Sequence, residues 1–505
     1  MASATTPMPE AAAISTGIEG LDDILAGGYA GNRIHLIEGQ PGTGKTTLAL
    51  QFLMQGISNG ERCLYVTLSE SRNELLHVAS THGWSLDGIK ICELVPPELS
   101  LDREQEQTVV YSADLELGET ISMVMSEIEA FRPSRVVFDS LAEIRLLSQG
   151  ALRYRRQILA LKHYFAMHDS TALLLDDLTR AEEELSLHSL VHGVIRLEQI
   201  AAQYGADRRR LRVSKMRGRH FRGGFHDFVI RKGGIRLFPR LVAADFRGDD
   251  IPHRSTTSGV AELDQLLGGG LDDGTSTLIM GPSGCGKSAL SLQYVTQAVQ
   301  NGDRVLVVVF DEARHVMLRR AAGIGMDLEP HIRSGKLVIE QVDPAEFPPG
   351  ELSGLVRCYV EQYGVRLVVL DSLNGYQSAM PEESFMILQI HELLTYLNQR
   401  GVITILVLAQ QGLVGPLQSP VELTYVSDTV ILLRFFETEG RIRRAVSVLK
   451  KRTGRHEAAI REYRIDSKGI RIGEPLTEFH GVLTGIPTFL GPASSLMTPR
   501  GGAEQ

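Results

Sequence analysis

Apolar positions along this chain recur with two different periods. In the first half, short β-branched runs such as IHLIE from Ile34, CLYVTL, VVF and ALLL alternate with longer stretches like TLALQFLMQGI from Thr47, where apolar residues return every three or four positions. The second half repeats the alternation with STLIM from Ser276, RVLVVVF, LVVL and ITILVL, and with the helical stretch ALSLQYVTQAV from Ala289. Stretches of helical period are amphipathic helices, whereas unbroken β-branched runs are strands buried on both faces. The alternation therefore predicts an α/β architecture of mostly parallel sheets with helices on both faces. Each half closes with further β-rich runs, DTVILLRFF and RRAVSVLKKR in the second, which predict strands at a sheet edge.

The halves are copies of one another. TGIEGLDDILAGG from Thr16 lies over SGVAELDQLLGGG from Ser258 at an offset of 242 residues. The strands RVVFDS and LVVLDS, which carry Asp139 and Asp371, lie at an offset of 232, so the first half holds ten more residues before that strand. The polar run around PPELSLDREQEQ is where we expect them. A repeat of this length is a duplicated domain and not a solenoid unit. The junction RLVAADFRGDDIPHRST is short and mixed in polarity, which predicts packed tandem domains over 1–245 and 246–484. Residues 485–505 are rich in Gly, Pro and Ser and read as a flexible tail.

Composition narrows the class. With 43% hydrophobic and 22% charged residues and no run of eighteen apolar positions, the sequence reads as a soluble globular protein without membrane spans. MASATTPMPEAAA has neither a basic nor an apolar targeting region, so a cytoplasmic location is expected. A net charge of −9 gives no general attraction to polyanions, and nucleic acid is not the expected partner. Cys63, Cys92, Cys285 and Cys358 are scattered without paired spacing, which argues for buried thiols and against a zinc site or a disulfide framework.

The candidate chemistry sits in two phosphate loops, GQPGTGKTT from Gly39 and GPSGCGKSA from Gly281. Glycines let successive backbone N–H groups close around phosphates, a lysine neutralises the β/γ charge, and a hydroxyl ligates Mg²⁺. The first loop assigns these roles to Gly39, Gly42, Thr43, Gly44, Lys45, Thr46 and Thr47; the second to Gly281, Ser283, Gly284, Cys285, Gly286, Lys287, Ser288 and Ala289. Each loop lies between an apolar strand and a helical stretch, the context a phosphate site needs. ATP and Mg²⁺ are the expected ligands, with Thr46 and Ser288 on the metal.

Asp139 and Asp371 end apolar strands, where a carboxylate serves either the metal or a helix N-terminus. At the end of the strand that follows each loop helix the halves read YVTLSES and VVVFDEA, placing Glu70 and the pair Asp311 and Glu312 at strand ends where ligands gather in open α/β sheets. One carboxylate can orient water, and a second can take a proton from a hydroxyl substrate. Late in each half come SKMRGRH, with Lys215 and Arg217, and LKKRTGRH, with Lys450 and Arg452, at a constant offset of 235. Such residues are solvated surface or contacts to a γ-phosphate from a neighbouring subunit. Arg208, Arg209 and Arg210 have no evident counterpart and read as a surface loop.

Together these segments, with VSDTVILLRFFE and AAIREYRIDSKGIRI, resemble the KaiC family of double-domain, RecA-like ATPases over nearly the whole chain. The resemblance implies two tandem RecA-like P-loop NTPase domains in a two-tiered hexameric ring with ATP between neighbouring subunits. It implies ATP hydrolysis in the first domain and reversible serine/threonine autokinase activity across the subunit boundary in the second. Glu70 becomes the first domain's catalytic carboxylate, although the family's pair of adjacent glutamates reads Ser69 and Glu70 here. Asp311 and Glu312 form the second domain's pair, with a shorter aspartate as base. The phosphoacceptors fall on Thr424 and Tyr425, the second a phenol where the family has an aliphatic hydroxyl; both also read as plain strand residues. Lys215, Arg217, Lys450 and Arg452 match the family's contacts to the neighbouring nucleotide. A KaiB-like partner is implied for the first domain, whereas the clock member's C-terminal extension has no match in LGPASSLMTPRGGAEQ.

The expected function is thus an ATP-hydrolysing autokinase in circadian-type timing or signalling. Two alternatives stand beside it: a RecA-like DNA-repair or recombination ATPase, and a nucleotide-gated hexameric scaffold.

Overall fold

The computed structural model describes residues 12–94, 123–148, 150–177, 187–201, 205–246, 254–378, 383–410, 423–438, 440–482 and 488–489. Its contacts divide the chain into two units, Met1–Arg240 and Leu241–Gln505. The division falls five residues ahead of the boundary expected at 245, because residues after Arg240 pack on the second unit: Ala243 N donates to Glu392, and Phe246 meets the Tyr396 ring edge-on.

In the first unit a sheet of nine strands runs through β1 (Ile34–Gly39), β2 (Cys63–Thr67), β3 (Ile89–Glu93), β4 (Arg135–Asp139), β5 (Thr171–Asp177), β6 (Gly193–Ile200), β7 (Arg208–Met216), β8 (Phe225–Arg231) and β9 (Gly234–Phe238). Their order is β3-β2-β4-β5-β1-β6-β7-β8-β9; pairing is parallel as far as β6 and antiparallel beyond it. The second unit repeats this order with β10 (Ser276–Gly281), β11 (Val305–Val309), β12 (Leu337–Gln341), β13 (Leu367–Asp371), β14 (Ile403–Ala409), β15 (Thr429–Thr438), β16 (Arg441–Lys451), β17 (Ile460–Asp466) and β18 (Gly469–Pro475). These are two RecA-like α/β domains.

Alternation along the strands builds two apolar layers per unit. Ile37, Leu173 and Leu175 face Leu48, Phe52 and Leu53 of the helix Lys45–Ser58, while Leu36, Leu64, Val136 and Leu174 face Ile158, Leu161 and Phe165 of Ala151–Met167. The second unit does the same with Ile279, Val307 and Ile405 on one side and Leu278, Leu306 and Leu406 on the other. Strands covered on both faces have no polar side to expose, which explains their unbroken β-branched sequences.

The offset between copies reveals where they diverge. It is 242 at the starts of β2 and β11, 248 at β3 and β12, and 232 at β4 and β13. The extra residues of the first half therefore fall after β3, offset in part by a longer second-half connection carrying the short helix Glu329–Arg333. The run PPELSLDREQEQ itself lies outside the described residues, as does the expected tail apart from Thr488–Phe489, which pair with Phe479–His480.

The recurrent pre-loop segments have a shared physical role. Asp22 accepts from Thr16 N at 2.7 Å and Asp264 from Ser258 N at 2.7 Å, each closing the turn that leads into a short helix. Arg208, Arg209 and Arg210 lie in β7 and not in a loop: Arg210 bonds Glu198 across the strands at 2.7 Å and stacks on Phe225, which holds it in the ladder. By register, Arg208 and Arg209 correspond to Arg443 and Arg444. Cys63 and Cys285 are buried, whereas Cys92 and Cys358 are half-buried. No helix among the described residues is long and apolar enough to cross a membrane.

A guanidinium sits wholly inside the first unit. Arg135, at the start of β4 where the second unit has Leu367, bonds Glu61 at 2.6 and 3.2 Å and donates to the carbonyls of Ser15 and Phe52, each at 2.8 Å. Burial alone would raise the Glu61 pKa, but the bonds and charge of Arg135 outweigh it and hold the carboxyl below its ordinary value. Removing one member of such a buried network strands the other groups. Arg135→Met is expected to destabilise the first unit by about 3 kcal/mol in urea denaturation. It should also remove stability that the native chain retains above the ordinary carboxylate range and loses as pH falls through the depressed Glu61 pKa.

Candidate functional site

Each phosphate loop leaves the carboxyl end of the central strand and enters a helix, Lys45–Ser58 or Lys287–Gln300. The last loop glycines have φ of +102° at Gly44 and +104° at Gly286, a left-handed conformation that side chains other than glycine disfavour. They also pack tightly: a Cβ at Gly44 would meet Ile230 Cδ1 at 2.6 Å, and one at Gly286 would meet Ile465 Cδ1 at 2.5 Å. The antiparallel edge of each sheet is thus the wall behind its loop. Tyr463 strengthens the second wall by donating its hydroxyl to the Cys285 carbonyl.

In the first unit the expected residues converge. Thr46 Oγ1 lies 3.3 Å from Asp139 Oδ2, which also accepts from the Tyr65 hydroxyl at 2.5 Å. Lys45 Nζ donates to the carbonyls of Gly39 and Gln40 at 2.8 and 3.1 Å and lies 2.6 Å from Asp177 Oδ1. Glu70 is fixed by its backbone, since Thr67 Oγ1 donates to its carbonyl at 2.7 Å and accepts from its N–H at 3.0 Å. The next residue, Ser71, forms a capping box with Glu74 and starts the helix Arg72–His82. Glu70 Oε2 is buried without a hydrogen-bond partner. Burial first, and then the charges of Asp139, Glu74 and Asp177, push its pKa up to about 7 against the opposing pull of Lys45. Asp139 is raised too, chiefly by burial.

The second unit assembles the same positions with different chemistry. Lys287 Nζ donates to the Pro282 carbonyl at 2.9 Å, and Ser288 hydrogen-bonds Asp371, whose pKa burial raises. Asp311 Oδ2 accepts from Ser372 Oγ at 2.6 Å, while both oxygens of Glu312 pair with Arg320, at 3.2 and 2.6 Å. The lack of a side chain at Gly375 leaves room for Asp311, because an added Cβ would crowd its Oδ1. A cleft of about 510 Å³ joins Ser283, Gly284, Lys287, Ser288, Asp311, Glu312 and Asp371 in one site.

These donors suit a nucleotide and Mg²⁺. No group of three or more His, Cys, Asp or Glu among the described residues could hold a metal ion by itself. A hydroxyl and one carboxylate per loop match an ion that takes few protein ligands and completes its shell with phosphate oxygens and water. Thr46 with Asp139, and Ser288 with Asp371, would hold it.

The basic residues late in each half lie elsewhere. Lys215 donates to the carbonyls of His188 and Val191, and Arg217 to that of Ser189 at 3.0 Å. Lys450 likewise donates to the carbonyls of Thr424 and Ser427 at 2.9 and 2.7 Å, and Arg452 to that of Tyr425 at 2.8 Å. Each pair clamps the turn before the sixth strand of its sheet. Thr424 and Tyr425 are therefore exposed turn residues and not part of a strand. Register equates them with His188 and Ser189, since Gly193 and Thr429 pair with His35 and Thr277. Both sheets even share a ladder irregularity nearby, between Val194 and Ile195 and between Val430 and Ile431.

Tyr65, Asp177, Arg320, Ser372 and Gly375 escaped the sequence reading. Tyr65 and Asp177 have Val307 and Ala409 as counterparts, so a search for recurrence passes over them. The doubled acids at Asp176 and Asp177, ending an apolar strand, were the available signal.

The family model described as "ATPase: KaiC" matches residues 14–242 and 256–477, and the chain belongs to this family of duplicated-domain ATPases. It is 28% identical over 487 residues to "Circadian clock protein KaiC3" of Synechocystis sp., covering 94% of each chain. It is 27% identical to "Circadian clock oscillator protein KaiC" of both Synechococcus elongatus and Thermosynechococcus vestitus, covering 94% of this chain and 92% of each relative.

A raised carboxyl pKa has a defined cost. Below the ordinary glutamate range Glu70 is protonated in both folded and unfolded chains, and above about 7 the fold must hold it ionised and desolvated. Its contribution to stability therefore falls as pH rises between those values. Glu70→Gln is expected to stabilise the first unit at pH 8 and leave it unchanged at pH 4, as read by urea denaturation at the two pH values.

Proposed function

We propose that this chain is an ATP-driven autokinase in which the first domain hydrolyses ATP and the second phosphorylates Thr424 of a neighbouring copy. One observation carries the reading: Lys450 and Arg452 are bonded to the turn that bears Thr424. In the KaiC-type assembly proposed here, a hexamer with nucleotide between subunits, those cations face the neighbour's phosphates, and whatever brings them there brings the Thr424 hydroxyl with them. Thr424 Oγ1 forms the new bond to the γ-phosphorus, the bond to the β-bridging oxygen breaks, ADP leaves, and the hydroxyl proton passes to Asp311. Tyr425, 57% exposed in the same turn, is a second acceptor.

In the first domain the register position of Thr424 holds no hydroxyl, while Ser189 stands at that of Tyr425. His188 stands in the register position of Thr424, and its Nε2 lies 2.7 Å from Glu38. Glu70, an unpartnered carboxylate beside Lys45 and Asp139, suits water as the nucleophile there. Mg²⁺ would supply charge neutralisation on the phosphates. The names of the relatives motivate a timing or signalling role, and a KaiB-like partner on the first domain belongs to the same proposal through the family resemblance.

Incubation with Mg²⁺ and γ-labelled ATP, followed by mass spectrometry, tests the kinase. Label is expected on Thr424, and none in a Lys287→Ala variant. Hydrolysis without protein label would overturn the assignment. Gly375→Ala, which crowds Asp311, should lower labelling by about tenfold or more while nucleotide still binds the second loop.

A further inference from the structure

The two loop lysines differ in one respect that their matching motifs conceal. Lys45 is 8% exposed, and its ammonium lies 2.6 Å from Asp177, the last residue of β5. Asp177 is no chance neighbour, because β5 pairs in parallel with β1 and places it directly opposite Gly39, where the loop begins. The same register in the second unit sets Ala409 opposite Gly281. Each lysine is the group that a phosphate loop offers to the β/γ-phosphates.

From this geometry we infer that Asp177 is a positioning residue that latches the first phosphate loop, holding Lys45 as its counter-ion and opposing nucleotide entry at this site alone. A phosphate that takes the ammonium must displace the carboxylate. The displaced Asp177, tied to the loop by the strand ladder, stays beside the incoming phosphate as a like charge. Both effects weaken binding, since an ion pair must break and a repulsion replaces it. The second loop, with alanine at this position, is free of both. Neither the lysine nor the aspartate is lost from the fold when the latch opens, so the effect acts on affinity and not on the cradle. The inference rests on the family's ATPase chemistry at the first loop and is independent of transfer to Thr424.

Binding of a fluorescent ADP analogue to the full chain decides it. With the second loop silenced by Lys287→Ala, Asp177→Ala and Asp177→Asn should each tighten binding at the first loop by roughly tenfold, with and without Mg²⁺. With the first loop silenced by Lys45→Ala, Ala409→Asp should weaken binding at the second by a similar factor. Unchanged or weaker binding in the Asp177 variants would overturn the latch, as would weakening confined to Mg²⁺, which marks a metal-side role. The Ala409→Asp arm keeps the inference open to refutation even if the Asp177 variants misfold: unaltered affinity there also overturns it.

Discussion

In each half the strand that feeds the phosphate loop is hydrogen-bonded in parallel to a neighbour on either side, and that pairing decides what stands around the loop. The β1–β5 ladder puts Asp177 beside Gly39, and the β1–β6 ladder sets the distance from the loop strand to the turn at His188. In the second half the same two ladders place Ala409 and the turn at Thr424. A slip of one residue would turn every side chain of a strand to its opposite face and undo both apolar layers. Fold and site therefore share a single constraint. The two sheets supply the same scaffold around each loop, and the chemical differences at these positions arise from which side chain occupies each register position.

The backbone scaffold could be read from the sequence because it is written in periodicity and in glycine. Unbroken β-branched runs, the helical stretches after each loop, and the matched pre-loop segments all depend on local composition, and duplication states each twice. Asp139 and Asp371, Lys45 and Lys287, and Thr46 and Ser288 were legible for the same reason: they recur. What recurrence cannot reveal is a contact made by one copy alone. Arg135 inside the first unit, Asp177 on Lys45, and Arg320 on Glu312 have Leu367, Ala409 and Val78 in their places.

Long-range contacts defeated other expectations. Arg208, Arg209 and Arg210 look like a polar loop until Glu198 and Phe225 are brought across the ladder to meet them. The basic residues at 215, 217, 450 and 452 suggest phosphate contacts in a neighbouring subunit, and within each domain they donate to turn carbonyls. Those two roles are compatible, because an ammonium has three N–H donors and a guanidinium five, more than the turn carbonyls take up.

The pairing of Glu312 with Arg320 has a consequence beyond its own site. Its side chains are 29% and 33% exposed, so dissolved ions reach and screen the pair. Glu70, by contrast, answers to protons, because its burden is desolvation near neutrality. One duplicated backbone thus carries an exposed ion pair beside the second loop, which dissolved ions screen, and a desolvated carboxyl beside the first, which answers to acidity.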